Sequence, residues 1–208
     1  LYCLDTSVDC PIFTSACFLL DRTGSGPAVC TGLGGSMSPD LAVKAAAFEA
    51  IRRHVSARDW FFRSRPLPMP QKYSFDWVLM QKQLYWSAPH MIRVAEGYLK
   101  GKRVSYEKIL LDKKKLLSKL PTEKDKVHFL VEELKRLQCE VLYVDVTTPE
   151  VRDQGLFVVK VLVPEMVPLW RDGRYPYLGM KRIYSGAHHN MQLKKNVTIS
   201  DAFSAHPF

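Results

Sequence analysis

No stretch of this chain approaches the ~20 consecutive apolar residues that a bilayer-spanning helix needs, and no secretory leader opens it. Those two absences lead to the expectation of a cytoplasmic protein with no membrane-spanning helix in this stretch. Cysteine is scarce and poorly arranged for cross-linking or metal. Cys3, Cys10, Cys17, Cys30 and Cys139 are odd in number and never stand in CxxC spacing, so they read as reduced, buried thiols of a cytoplasmic protein. His188 and His189 are adjacent, point in different directions and lack a third ligand at useful spacing, which argues against zinc. Internal repeats and low-complexity tracts are missing too. Asn196-Val197-Thr198 matches a glycosylation acceptor, but without a leader it reads as a chance match.

Acid is the scarcer charge, 21 Asp and Glu against 30 Lys and Arg, for a formal +9. The excess is uneven: residues 100–126 carry ten Lys or Arg and four acids, a net +6. Such a segment suits an acidic peptide or nucleic acid, or is simply a solvated connector. No aromatic residues alternate with the lysines as a stacking platform requires, so nucleic acid is the weaker reading. What remains is ordinary for a globular protein: 208 residues, 47% apolar and 25% charged, enough for one domain with a proper core or two small ones.

The hydrophobic pattern predicts alternating elements. Residues 11–20 read as a buried strand and 21–26 as a turn. A short strand at 27–31 then forms a hairpin before a helix over 39–54. PLPMP at 66–70 cannot be helix interior. Residues 72–86 are rich in aromatic residues and ambiguous, and 87–99 predict a short helix begun at Ser87. Residues 123–138 form an amphipathic helix with Val127, Leu130, Val131, Leu134 and Leu137 on one face, leading into strands at 140–146 and 156–164. Helices between strands indicate a layered α/β (α+β) domain. From Glu165 to Phe208 the periodicity fades, while Trp170, Tyr175, Tyr177 and Tyr184 argue against full disorder.

Gly32 to Arg53, GLGGSMSPDLAVKAAAFEAIRR, is the richest stretch. It reads as a glycine turn, then a helix capped by Ser38, started by Pro39 and favoured by Asp40 near its positive end. Leu41, Ala45, Phe48 and Val55 form the stripe expected to face a core. Glu49 lies beside that stripe among Ala42, Ala45 and Ala46, with Arg53 one turn on. Small neighbours around one carboxylate admit either a ligand or a closely packed strand, with Glu49–Arg53 as an ordinary ion pair. Arg152, in PEVRDQG, reads as a turn residue paired with Asp153 or Glu150. His206-Pro207-Phe208 closes the chain.

Four segments, in order, resemble the C-terminal half of a YcaO-domain protein: Gly32–Arg53, FDWVLMQKQLYWSAP at 75–89, residues 145–184 and the terminal AHPF. The similarity is greatest to the cyclodehydratases of thiazole/oxazole-modified microcins, the streptolysin-like branch included. That resemblance implies an ATP- and Mg²⁺-using enzyme of bacteriocin biosynthesis. In that family a Cys, Ser or Thr of a ribosomal precursor peptide attacks the preceding amide carbonyl. Phosphorylation of the resulting oxygen, and loss of phosphate, then gives an azoline. It further implies Glu49 as a Mg²⁺ and nucleotide ligand, Arg152 and Arg53 as nucleotide-binding cations, and His206, Pro207 and Phe208 as a catalytic tail assisting proton transfer. An E1-like, leader-binding protein and a second copy of the chain are implied partners. A thioamide-forming enzyme or a non-catalytic docking module of the same shape are the alternatives. Ala45 stands where many members have glutamine, and the family's SxxxExxE pattern does not occur. The chain is therefore expected to hold one half of an ATP site, its N-terminus a cut, in four parts: 1–99, a basic connector at 100–126, helix–strand–strand at 127–164 and the tail at 165–208.

Overall fold

The computed structural model describes residues 1–63, 79–168 and 179–183. PLPMP, residues 72–78 of the aromatic segment, Trp170, Tyr175, Tyr177, Tyr184, His188, His189 and the AHPF terminus lie outside the described residues.

Three antiparallel strands, β1 (Tyr2–Asp5), β2 (Phe13–Leu20) and β3 (Val29–Ser36), form a sheet in the order β1-β2-β3. Successive side chains of β2 point to opposite faces, and each face has its own cover. Ala16 and Phe18 pack with Ala28, Val29, Trp86, Ala88, Met91 and Ala95, so α2 (Leu79–Trp86) and α3 (Met91–Tyr98) close one side. Cys17 packs on Ala46 and Ala50 of α1 (Pro39–Arg63), which closes the other. The result is a helix–sheet–helix sandwich, an α+β arrangement of mixed helices and small antiparallel sheets.

How α1 meets the sheet corrects the expected core stripe. Its buried residues are Pro39, Ala42, Ala46, Ala50, Ala57 and Phe61, whereas Leu41, Phe48 and Val55 are each at least 60% exposed. The reason lies in β3. Gly32, Gly34 and Gly35 belong to that strand rather than to a turn. A methyl group built on Gly34 would sit 2.0 Å from the Ala42 carbonyl oxygen, and one on Gly32 would sit 2.1 Å from that of Ala46. Helix backbone therefore rests almost directly on strand backbone. Only alanines fit above and only glycines below, so bulky side chains are turned outward.

The basic segment is not a featureless connector. It contains α4 (Tyr106–Leu117), capped by Ser105, whose hydroxyl accepts from the Lys108 N–H. Tyr106 donates its hydroxyl to Asp40 at 2.8 Å and Lys113 donates to the Pro11 carbonyl at 2.8 Å, fixing this helix to the sandwich. Ser87, expected to begin a helix, instead follows α2 and bonds back to the Gln83 carbonyl; α3 starts four residues later.

α5 (Glu123–Arg136) opens on a capping box in which Thr122 and Asp125 exchange bonds. It leads to a two-stranded antiparallel sheet of β4 (Leu142–Asp145) and β5 (Val159–Leu162), linked through the one-turn α6 (Pro149–Arg152). Every residue of β4 and β5 is exposed.

Candidate functional site

Glu49 sits where α1 crosses the open edge of the sheet. Among the described residues β3 pairs only with β2, so some of its N–H groups face away from the ladder. One of them, on Leu33, donates to Glu49 Oε2 at 2.7 Å. Arg53, one turn further along α1, donates to Oε1 at 2.7 Å. Both side chains are largely covered, 24% exposed for Glu49 and 22% for Arg53. The close contact below explains this placement, because the Glu49 Cβ lies 2.9 Å from where a Gly32 Cβ would be. Glutamate at this point is lowered onto the strand edge, and its two oxygens are aimed by two fixed donors.

Beyond Arg53 the same end of α1 faces a small polar group. Cys30 accepts from Gln83 Nε2 at 3.4 Å, and burial pushes its thiol up to about 12. Asp21 is held below the usual carboxylate range by the hydroxyl and then the N–H of Thr23, with a smaller contribution from His54.

Of the expected residues, Glu49 and Arg53 are brought together. Arg152 is placed elsewhere, at the end of α6, where its guanidinium bonds Asp145 at 2.8 Å and lies over the Phe157 ring at 5.5 Å. Its acidic partner is neither Asp153 nor Glu150, because α6 turns it back across the hairpin toward β4. His206, Pro207 and Phe208 fall outside the described residues. The Leu33 N–H was missed in the sequence, although one signal was present: glycines at 32 and 34 alternate with period two, the spacing of one strand face.

The donor set suits a hard cation carried by a phosphate. A carboxylate has about four acceptor directions, and Glu49 uses one on each oxygen. Mg²⁺ typically takes one or two carboxylates and completes its shell with phosphate oxygens and water. Among the described residues no group of three or more His, Cys, Asp or Glu could hold a metal alone. A carboxylate with acceptor capacity left on each oxygen could supply one such ligand, with the Arg53 guanidinium beside it.

Residues 1–167 match the family model described as YcaO cyclodehydratase, ATP- and Mg²⁺-binding. The chain belongs to the YcaO family. It is similar in fold to a solved structure described as a heterocyclase in complex with substrate and cofactor, at 20% identity and a TM-score of 0.57, covering 88% of this chain and 21% of that one. A second, the heterocyclase TruD, matches at 21% identity over 88% of this chain and 21% of its own, with a TM-score of 0.49. The chain therefore spans about a fifth of the length of either heterocyclase. No curated protein matches it. Among the described residues no helix is long and apolar enough to cross a membrane.

Proposed function

We propose that this YcaO chain is part of an ATP-dependent enzyme that converts Cys, Ser or Thr of a ribosomal precursor peptide into azolines, in the manner of bacteriocin-forming cyclodehydratases. The observation that carries the reading is the Glu49 carboxylate, held by the Leu33 N–H and Arg53 at the sheet edge with acceptor capacity to spare. Bound MgATP would supply the phosphoryl group that turns the amide-derived oxygen into a leaving group. Glu49 would hold the metal through a lone pair that its two donors leave free. Arg53, beside it, would balance phosphate charge. Arg152 is proposed as a second phosphate-binding cation, exchanging Asp145 for the nucleotide. The His206-Pro207-Phe208 terminus is proposed to take part in proton transfer.

The test is calorimetric titration with MgATP, using a non-hydrolysable analogue, of this chain joined to a YcaO N-terminal half that carries the serine and paired glutamates. Glu49→Ala and Arg152→Ala should each weaken binding about 10–100-fold, the worth of one charge-assisted contact of ~1.5–3 kcal/mol. Unchanged affinity in both would remove the residue assignments. Removing Pro207 and Phe208 should lower ring formation and leave nucleotide affinity nearly intact.

A second reading, a YcaO-shaped module that docks a peptide or partner without catalysis, draws on the exposed apolar strands of the β4–β5 hairpin. Full nucleotide affinity without peptide turnover in the joined protein would favour it.

A further inference from the structure

β1 and β2 bring two cysteines face to face. Cys3 and Cys17 are direct cross-strand partners, and their sulfurs are in direct contact, 2.7 Å apart. Directly opposed residues of an antiparallel pair have Cα atoms ~4.5–5.5 Å apart, inside the range that disulfides bridge without moving the backbone. The two thiols differ sharply in surroundings. Cys3 is exposed at the edge of the sheet. Cys17 is fully buried under α1, where burial first, and then its bond to Cys3, pushes its thiol up to about 12.

We propose that Cys3 and Cys17 form a redox-modification site that reacts with small-molecule disulfides and closes to a cross-strand disulfide. The exposed Cys3 attacks first. Its thiolate, having lost its proton to solvent, bonds one sulfur of the small disulfide and expels the other half as a thiolate. Cys17 then attacks the Cys3 sulfur, its proton passing to the departing sulfur, and the second half leaves as a thiol. Two protein thiols are oxidised to one disulfide while one small disulfide is reduced to two thiols. Cys17, too buried to meet the reagent itself, needs only the sulfur already beside it. Of the other three thiols, Cys30 accepts from Gln83, Cys139 donates to the Leu137 carbonyl and Cys10 is half-buried.

The site's position gives the modification a consequence. Cys17 pairs in register with Gly32, so Cys3, Cys17 and Gly32 form one row across the sheet on the α1 face. Glu49 stands over the Gly32 end of that row. Oxidation would fasten β1, which among the described residues pairs with β2 alone, at the opposite end of the same row. The thiol chemistry itself is independent of whether Glu49 binds nucleotide.

Equilibration of the reduced 208-residue chain with oxidised glutathione, followed by denaturing thiol titration and peptide mapping, tests the site. The five thiols should lose two, leaving three, with the peptides bearing Cys3 and Cys17 joined. In Cys17→Ser the reaction should stop at a glutathione adduct on Cys3. In Cys3→Ser, an edge substitution that leaves the core intact, no disulfide should form. Overturning results would be a lasting adduct on Cys3 of the unmodified sequence, a disulfide involving Cys10, Cys30 or Cys139 instead, or two thiols still lost in Cys3→Ser.

Discussion

The β1-β2-β3 sandwich and the β4–β5 hairpin are built from equally hydrophobic strands and use them in opposite ways. In β2, Phe13, Ala16, Cys17 and Phe18 are all at or below 3% exposure. In β4 and β5, Leu142, Tyr143, Val144, Val159, Val161 and Leu162 all exceed 40%. The difference does not come from side-chain type but from what lies across from each strand. β2 has helix on both faces, one of them lowered to backbone contact by paired glycines and alanines. Among the described residues the hairpin pairs only its own two strands, and a two-stranded sheet by itself contributes little stability in water. Core, in this molecule, is set by the small residues that let layers approach.

The largest test of that contrast replaces one aromatic residue in each region. Phe18 is fully buried and stacks on Tyr98 at 6.0 Å. Phe18→Ala should lower unfolding free energy by ~3–5 kcal/mol. Tyr143 is 73% exposed, and Tyr143→Ala should stay within ~0.5 kcal/mol. Urea unfolding followed by circular dichroism gives both values. A cost at Tyr143 matching that at Phe18 would mean the hairpin is covered in solution, and the contrast would fail.

A second comparison needs only neighbouring glycines. Gly34 faces α1, and an added methyl group would lie 2.0 Å from backbone oxygen. Gly35 faces the other way, with its nearest atoms at 3.8 Å on Ile12 and Thr14. Gly34→Ala should therefore cost ~1–3 kcal/mol or more by forcing helix and strand apart. Gly35→Ala should be neutral or stabilise by up to ~1 kcal/mol through the unfolded chain. Equal effects at the two positions would show that α1 does not rest on β3 as described.

These two regions also explain how much was legible beforehand. Strands at 11–20 and 140–146, the helix from Pro39 and the helix from Glu123 followed from periodicity and caps, and each is present with shifted ends. The burial of α1 was misread because Leu41, Phe48 and Val55 outweigh alanine on any hydrophobicity scale, while a glycine strand's demand for alanine is a property of two elements together. Glu49 and Arg53 were legible as a pair, since a helix places i and i+4 side by side. The Leu33 N–H was not, because an edge exists only once strand order is known. Arg152 was recognised as a charged turn residue but given the wrong partner. Its true partner, Asp145, lies seven positions away and meets it only after β4 turns into α6. The basic segment misled through charge, which marks a solvated surface but does not forbid the helix that Ser105 caps.

The smallest effect expected is at Asp145, and it tests how the hairpin keeps its shape with the residues of both strands exposed. The Thr147 hydroxyl, then Arg152, then the Thr147 N–H hold this carboxyl well below the usual carboxylate range. The same Thr147 hydroxyl meets the backbone of Val158, so one side chain joins both strands of the hairpin. A carboxyl whose folded pKa is depressed contributes stability above its unfolded value of ~3.9, and loses it as pH falls toward the lowered one. The hairpin should therefore keep these bonds through mild acid and release them only below the ordinary range for Asp. Thr147→Val should raise the Asp145 midpoint more than Arg152→Gln does, because the hydroxyl is the larger cause and the guanidinium is half exposed to water. Carboxyl carbon shifts followed by NMR during acid titration read both midpoints. The reverse order would make the ion pair, rather than the threonine bridge, the element that shapes the turn carrying Arg152.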